Sequence, residues 1–210
     1  MTEMIATRQA YGDALVEFGE NNKAIVVLDA DLSKSTTTAK FGKKYPDRFF
    51  NMGIAEANMI GTAAGLATCG KIPFVSSFSI FATGRAWEQI RNTVCYSGVN
   101  VRIVATHSGV SVGPDGASHQ CIEDLSLMRT IPTMTVIEPC DAVETRKSIM
   151  AAIDYKGPLY IRLGRAAVPV LTKKEDTFVI GKANVLRTGD DVAIIACGAL
   201  VAHALTASDI

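Results

Sequence analysis

Histidine is scarce in this sequence, with only His107, His119 and His203 in 210 residues. None of the three stands in H-E-x-x-H or H-x₃₋₅-H spacing, so no metal site is expected on this chain alone. The five cysteines are an odd number without a C-x-x-C pair, which argues against a disulfide framework or a zinc knuckle. Four of them lie in apolar sequence, where a free thiol is expected to behave as a small hydrophobe. Basic runs stop at two adjacent residues, as at Lys43-Lys44, and 21 Lys plus Arg balance 21 Asp plus Glu. That balance leaves no electrostatic footprint for nucleic acid. No stretch approaches the roughly 18 uninterrupted apolar residues of a membrane span, and the N-terminus has no basic region followed by an apolar run. A cytoplasmic protein with neither nucleic-acid nor membrane partners is expected.

Apolar residues make up 48% of the chain, enough for one full core. Short β-rich runs at 25–29, 72–78, 101–107, 133–139 and 158–164 alternate with helical patterns at 7–19, 55–68, 83–97 and 141–153. Asp141, following Pro139, is a plausible N-cap of the last helix. This alternation predicts an α/β fold: a doubly wound, mainly parallel sheet with helices on both faces. The pattern breaks at 169–177 into a Pro/Lys/Thr linker, and 178–210 reads as strand, turn, strand and helix, the incomplete start of a second α/β domain. Ligands of open parallel sheets bind outside the carboxyl ends of the strands. Asp29, Asp31, the 53–56 turn, Ser77, Phe78, His107, Glu138 and Arg162 all fall at such ends.

Three segments stand out there. GIAEANMIG opens a helix of alanines and glycines with one carboxylate, Glu56, in its first turn. A first-turn acid complements the helix dipole; a buried one can also hold or share a proton with a heterocyclic ligand nitrogen. SSFSIFATGRAWEQIR places Phe78 and Phe81 three apart where strand gives way to helix, either as core or as flanks for a flat ring. ATHSGVSVGPDGASHQ has His107, Asp115 and His119 in a loop with Gly109, Gly113 and Gly116. It is too long for an ordinary connection, and it is neither a P-loop nor a G-x-G-x-x-G fingerprint.

These segments, with IEPCDAVE at 137–144, resemble the pyrimidine-binding domain of the transketolase family, in the form of the C-terminal subunit of a two-chain transketolase. The resemblance runs through residues 1 to about 165, and it implies a pyrimidine-binding domain over 1–168. It implies that Glu56 bonds N1′ of thiamine diphosphate, that Phe78 and Phe81 contact its aminopyrimidine, and that Asp31 is an acid near the cofactor. It implies proton transfer and substrate contact by His107 and His119, and hydroxyl contact by Asp115. Arg8, Ser35 and Arg162 would hold the sugar phosphate, with Arg165 a competitor for the last position. The reaction implied is transfer of a two-carbon ketol unit from a ketose phosphate to an aldose phosphate. Where the family often has a third aromatic, this chain has Gly84. The Gly-Asp-Gly…Asn metal motif is absent, so the diphosphate and its Mg²⁺ or Ca²⁺ are expected on a partner, the N-terminal transketolase subunit, with self-association besides. A 1-deoxyxylulose-5-phosphate synthase, a pyruvate dehydrogenase β subunit or a catalytically silent interaction subunit are the alternatives.

Overall fold

A computed structural model describes residues 3–210. The chain enters through β1 (Met4–Ala6) and α1 (Thr7–Asn21). Next come β2 (Ile25–Asp29), two short helices α2 (Ser33–Thr36) and α3 (Ala39–Lys44), β3 (Phe49–Asn51), α4 (Glu56–Thr68) and β4 (Ile72–Ser76). The helical segment 80–96 is π-wound at Ile80–Arg85 and Ile90–Tyr96, around a single α-turn, α5 (Trp87–Gln89). Then follow β5 (Arg102–Ala105), α6 (Asp124–Arg129), β6 (Thr135–Ile137), α7 (Ala142–Asp154), β7 (Leu159–Arg162), β8 (Ala167–Pro169) and α8 (Leu200–Ala207).

Six strands form one parallel sheet in the order β3-β2-β4-β5-β7-β6. Alternation along each strand divides the core into two layers. Val26, Leu28, Val75, Ile103 and Tyr160 face α4 and the 80–96 helix. Ile25, Val27, Phe74, Val104, Leu159 and Ile161 face α1, α3 and α7. Both faces are therefore dry, which is why β2 is buried at every residue and reads as an apolar run, Ile25 to Leu28, before it ends in the buried Asp29, whose carboxylate is bonded by the Thr36 and Thr38 hydroxyls. The connection leaving β2 runs to the β3 side and that leaving β4 runs to the β5 side. The carboxyl ends of these two adjacent strands thus flank a crevice, the usual ligand position in such sheets.

Differences from the sequence reading have physical causes. The strand β3 is three residues long and too short to show a period; β1 and β8 pair only with each other, antiparallel. The helix expected at 83–97 starts three residues earlier, at Ile80, because the π-turn holds Phe81 and Arg85 within it. No strand forms within 178–197. A strand needs a partner edge, and here Val185, Val192 and Ile195 are 81%, 78% and 94% exposed. Only the helix of that expected quartet is present, as α8. Three cysteines are buried rather than four, because Cys69 and Cys197 are exposed.

Asp141 does cap α7, accepting from the Glu144 N–H at 2.8 Å, while the Glu144 carboxylate reaches back to the Cys140 N–H at 2.7 Å. The same buried Asp141 carboxylate also receives the N–H groups of Leu171 (2.7 Å) and Thr172 (2.6 Å), pinning the 169–177 stretch against α7. Lys147 adds a second pin, donating to the carbonyls of Lys173 and Asp176. Asp141→Ala removes the cap and strands two linker amides. It is expected to cost about 2–3 kcal/mol, read as a fall of roughly 4–12 °C in melting temperature.

Candidate active site

At the carboxyl edge of the sheet, the 51–55 turn is tied to the end of β2. Met52 N–H donates to the Asp29 carbonyl at 2.9 Å, Asn51 Nδ2 donates to Asp31 at 2.9 Å, and Gly53 N–H donates to Asn51 Oδ1 at 3.0 Å. Gly53 has φ +68, a conformation that favours glycine. The turn delivers Glu56 to the first position of α4, where it is 4% exposed. Its side-chain partner is Arg85, whose Nη1 lies 3.2 and 3.4 Å from the two carboxylate oxygens. Arg85 also lies over the Phe81 ring, 4.2 Å from its centroid.

Phe78 and Phe81 are parallel, with centroids 6.0 Å apart and planes at 14°. Phe78 carries the His107 imidazole stacked at 3.8 Å on it, and His119 meets Phe81 edge-on at 5.3 Å. The four rings form one continuous aromatic wall. His107, in the wall, and Asp31, which ties the 51–55 turn through Asn51, both sit in left-handed backbone, at φ +57 and +64, each two residues beyond a strand end. The loop that returns to His119 is ordered by its own bonds: Gly109 N–H donates to the Cys121 carbonyl at 2.8 Å and His119 N–H donates to Gly116 at 3.0 Å.

Both histidines share one local device. Nδ1 of His107 is 2.9 Å from the Thr106 hydroxyl, and Nδ1 of His119 is 2.9 Å from the Ser118 hydroxyl. In each ring Nε2 is left for a ligand. Burial, reinforced by the nearby positive charges of Arg8 and Arg165, pulls the His107 pKa down to about 4, with the charge of Asp115 acting the other way. The ring is therefore neutral near pH 7.

Arg8 donates to the backbone carbonyls of Ser35 (2.7 Å) and Arg165 (3.3 Å). Arg165 donates to the Val112 carbonyl. Neither guanidinium has a carboxylate partner among the described residues. Burial, and after it the neighbouring Arg165 charge, depresses the Arg8 pKa. Arg162 is different. Its Nε lies 2.8 Å from Asp124 and its Nη1 2.5 Å from Glu138. Burial opposes its charge, yet the two carboxylates outweigh burial and raise its pKa above the ordinary value. The expectation that Arg162 offers its charge to a phosphate is therefore corrected: its fork is taken by two acids, while Arg165, beside Arg8, is the uncompensated cation. Asp115 is exposed at the loop tip, Asp31 is exposed and tied to Asn51, and Ser35 meets Arg8 through its carbonyl.

The family model for the pyrimidine-binding domain of transketolase matches residues 3–170. This chain belongs to the transketolase family. It is 55% identical over 205 residues to a Methanocaldococcus jannaschii protein named as a transketolase C-terminal section, covering 97% of this chain and 65% of that one. It is 43% identical over 202 residues to a 6-deoxy-6-sulfo-D-fructose transketolase subunit of Clostridium sp. (strain MSTE9), covering 96% and 63%. Among solved structures, a split-gene transketolase described as an inactive β4 tetramer superposes with a TM-score of 0.90 at 56% identity, over 99% of this chain and 67% of that one. The chain thus spans slightly less than two thirds of the length of these two curated relatives.

Among the described residues no three His, Cys, Asp or Glu side chains are grouped to hold a metal, and no helix is long and apolar enough to cross a membrane. Arg85 escaped the sequence reading, although its four-residue spacing from Phe81 was a usable signal for a cation over that ring. The hydroxyls that precede both histidines were equally visible and equally unused. For His107 the expected outcome is an imidazole that stays neutral from pH 8 to about 5 and titrates near 4, followed by NMR of the ring. Because the unfolded chain takes up that proton near 6.5, this group makes folding stability fall as pH drops from about 6.5 to 4 and leaves it flat above.

Proposed function

We propose that this chain provides the aminopyrimidine half of a transketolase active site, acting with thiamine diphosphate on sugar phosphates. The observation that carries the reading is the buried Glu56 carboxylate beside the wall of Phe78, Phe81, His107 and His119. Thiamine diphosphate fits these residues. A buried carboxylate with a single side-chain partner suits a ring nitrogen, and parallel phenyl rings suit a flat heterocycle.

When bound, the cofactor would supply the thiazolium chemistry of two-carbon ketol transfer. Glu56 would hold the proton shared with N1′. Phe78 and Phe81 fix the plane of the ring and keep water from that side of it. Neutral His107, with Nδ1 engaged by Thr106, presents Nε2 to a substrate oxygen, and His119 does the same from the loop. Arg8 and Arg165, lacking carboxylate partners, attract the phosphate of the sugar, where a forked guanidinium engages two oxygens at once. Asp31 and Asp115 border the entrance, and Ser35 orients Arg8 through its carbonyl. Which sugar phosphates are taken follows from contacts made by the complete enzyme.

The diphosphate and its Mg²⁺ or Ca²⁺ are assigned to an N-terminal transketolase subunit, because this sequence lacks the Gly-Asp-Gly…Asn motif. Two relatives support the division, one named as a C-terminal section and one as a split-gene product. The β4 assembly of the latter supports self-association. Residues 1–168 form the pyrimidine-binding domain, 169–177 the linker, and 178–210 the start of a further domain, whose exposed Val185, Val192 and Ile195 are fit to join a sheet edge supplied by additional chain.

Two outcomes are expected. The purified chain shows no ketol transfer, and addition of the diphosphate-binding subunit restores it; turnover by the chain alone would refute the division of labour. In that complex, Glu56→Gln slows hydrogen/deuterium exchange at C2 of bound thiamine diphosphate by about a hundredfold or more, the usual contribution of a positioned acid or base, at equal cofactor occupancy. Unchanged exchange would show Glu56 to be a helix-end acid only.

A further inference from the structure

Arg85 occupies an unusual place. Its guanidinium donates toward both oxygens of Glu56 and lies 4.2 Å from the Phe81 centroid, while its side chain is 51% exposed. A guanidinium is flat, delocalised and cationic, with N–H donors in its plane. A protonated aminopyrimidine has the same properties: a planar cation, N–H groups directed at a carboxylate, and a face for an aromatic ring. The group that sits between Glu56 and Phe81 in the chain by itself thus has the chemistry of the ring that the proposed function places there.

The backbone allows Arg85 to leave this seat. It ends the π-wound turn Ile80–Arg85, the kind of local irregularity that accumulates at functional sites. Its neighbour Gly84 is exposed, and a Cβ added there would meet nothing within 4 Å. The energetics point the same way. A buried carboxylate without a counter-charge is costly, so Glu56 needs a partner before the cofactor arrives. A half-exposed arginine provides one, yet such an ion pair is weak enough to be exchanged.

We propose that Arg85 is a built-in stand-in for the aminopyrimidine, neutralising Glu56 and filling the seat on Phe81 in the cofactor-free protein and vacating it when the ring binds. The proposal rests on the reading of Glu56 as the partner of that ring. Its consequence is competitive: the apparent cofactor affinity is the intrinsic affinity reduced by the fraction of molecules in which the seat is free. Removing the guanidinium therefore tightens cofactor binding, the opposite of what loss of a cofactor-contacting arginine would do.

The test is calorimetric titration of thiamine diphosphate, with magnesium, into the complex of this chain with its diphosphate-binding subunit. Arg85→Met keeps the apolar stem and removes the guanidinium; the expected result is a Kd about threefold or more tighter, and an equal or weaker Kd overturns the proposal. Where Arg85→Met fails to assemble, the unaltered complex decides the matter through the ¹⁵N signal of the Arg85 side chain. Its guanidinium is expected to rotate slowly without cofactor and freely at saturation; unchanged slow rotation overturns the proposal. Glu56→Gln separates the two readings. Unchanged C2 exchange in that variant removes the assignment of Glu56, whereas slowed exchange together with an unimproved Kd in Arg85→Met removes the stand-in alone.

Discussion

A carboxylate withdrawn from water needs a positively charged or proton-sharing partner, and this requirement at Glu56 organises the site. Dipole complementarity at a helix start is worth about 0.3–1 kcal/mol, too little to account for burying the group in an edge that could leave it exposed. The carboxylate instead faces a guanidinium that lies between it and the aromatic wall, in a seat fit for a planar cation. The turn before α4, the strained residues beyond β2 and β5, and the π-wound turn after β4 all act on the geometry of this one seat.

That convergence follows from the sheet. With both faces covered by apolar layers, the sheet has no room for polar chemistry except at its edges, and reversal of the connections between β2 and β4 leaves the carboxyl edge open. Polar groups gather there in two sets of opposite character. Glu56 carries the negative charge against the aromatic wall. Arg8 and Arg165 carry an uncompensated positive charge that adds to burial, the larger cause, in keeping the His107 imidazole neutral. A neutral histidine near paired cations can donate to an oxygen of an anionic substrate without adding a third charge to the cluster.

The C-terminal stretch is anchored rather than loose where it leaves the sheet. Asp141 and Lys147 hold 171–176 against α7, and Gly198 N–H returns to donate to the Glu138 carbonyl at 3.2 Å. A side chain at Gly198 would strike the Glu138 carboxylate at 2.3 Å, so the close approach depends on that glycine. Glu138 in turn holds Arg162, which couples the position of the C-terminal stretch to the arginine that lines the edge of the site.

The parallel α/β architecture, the cap at Asp141 and the collection of Glu56, Phe78, Phe81, His107 and His119 at strand ends were legible in the sequence, because hydrophobic period and strand termini are local properties. Which charge meets which was not. Arg162 and Arg165 are three residues apart on one segment and chemically identical. Only the approach of Asp124 and Glu138, distant in sequence, consumes the first and leaves the second beside Arg8. Arg85 likewise looks like any surface cation until the turn at 80–85 swings it over Phe81 and onto a carboxylate 29 residues earlier. The strands expected at 178–197 fail for the converse reason: their apolar pattern is local, but a strand exists only when another edge is present to pair with it. Sequence by itself determined the layers and the residue types at the carboxyl edge, since burial pattern and turn chemistry are written along the chain. The tertiary structure alone decided the pairing of charges, since electrostatic energy depends on distances that only folding sets.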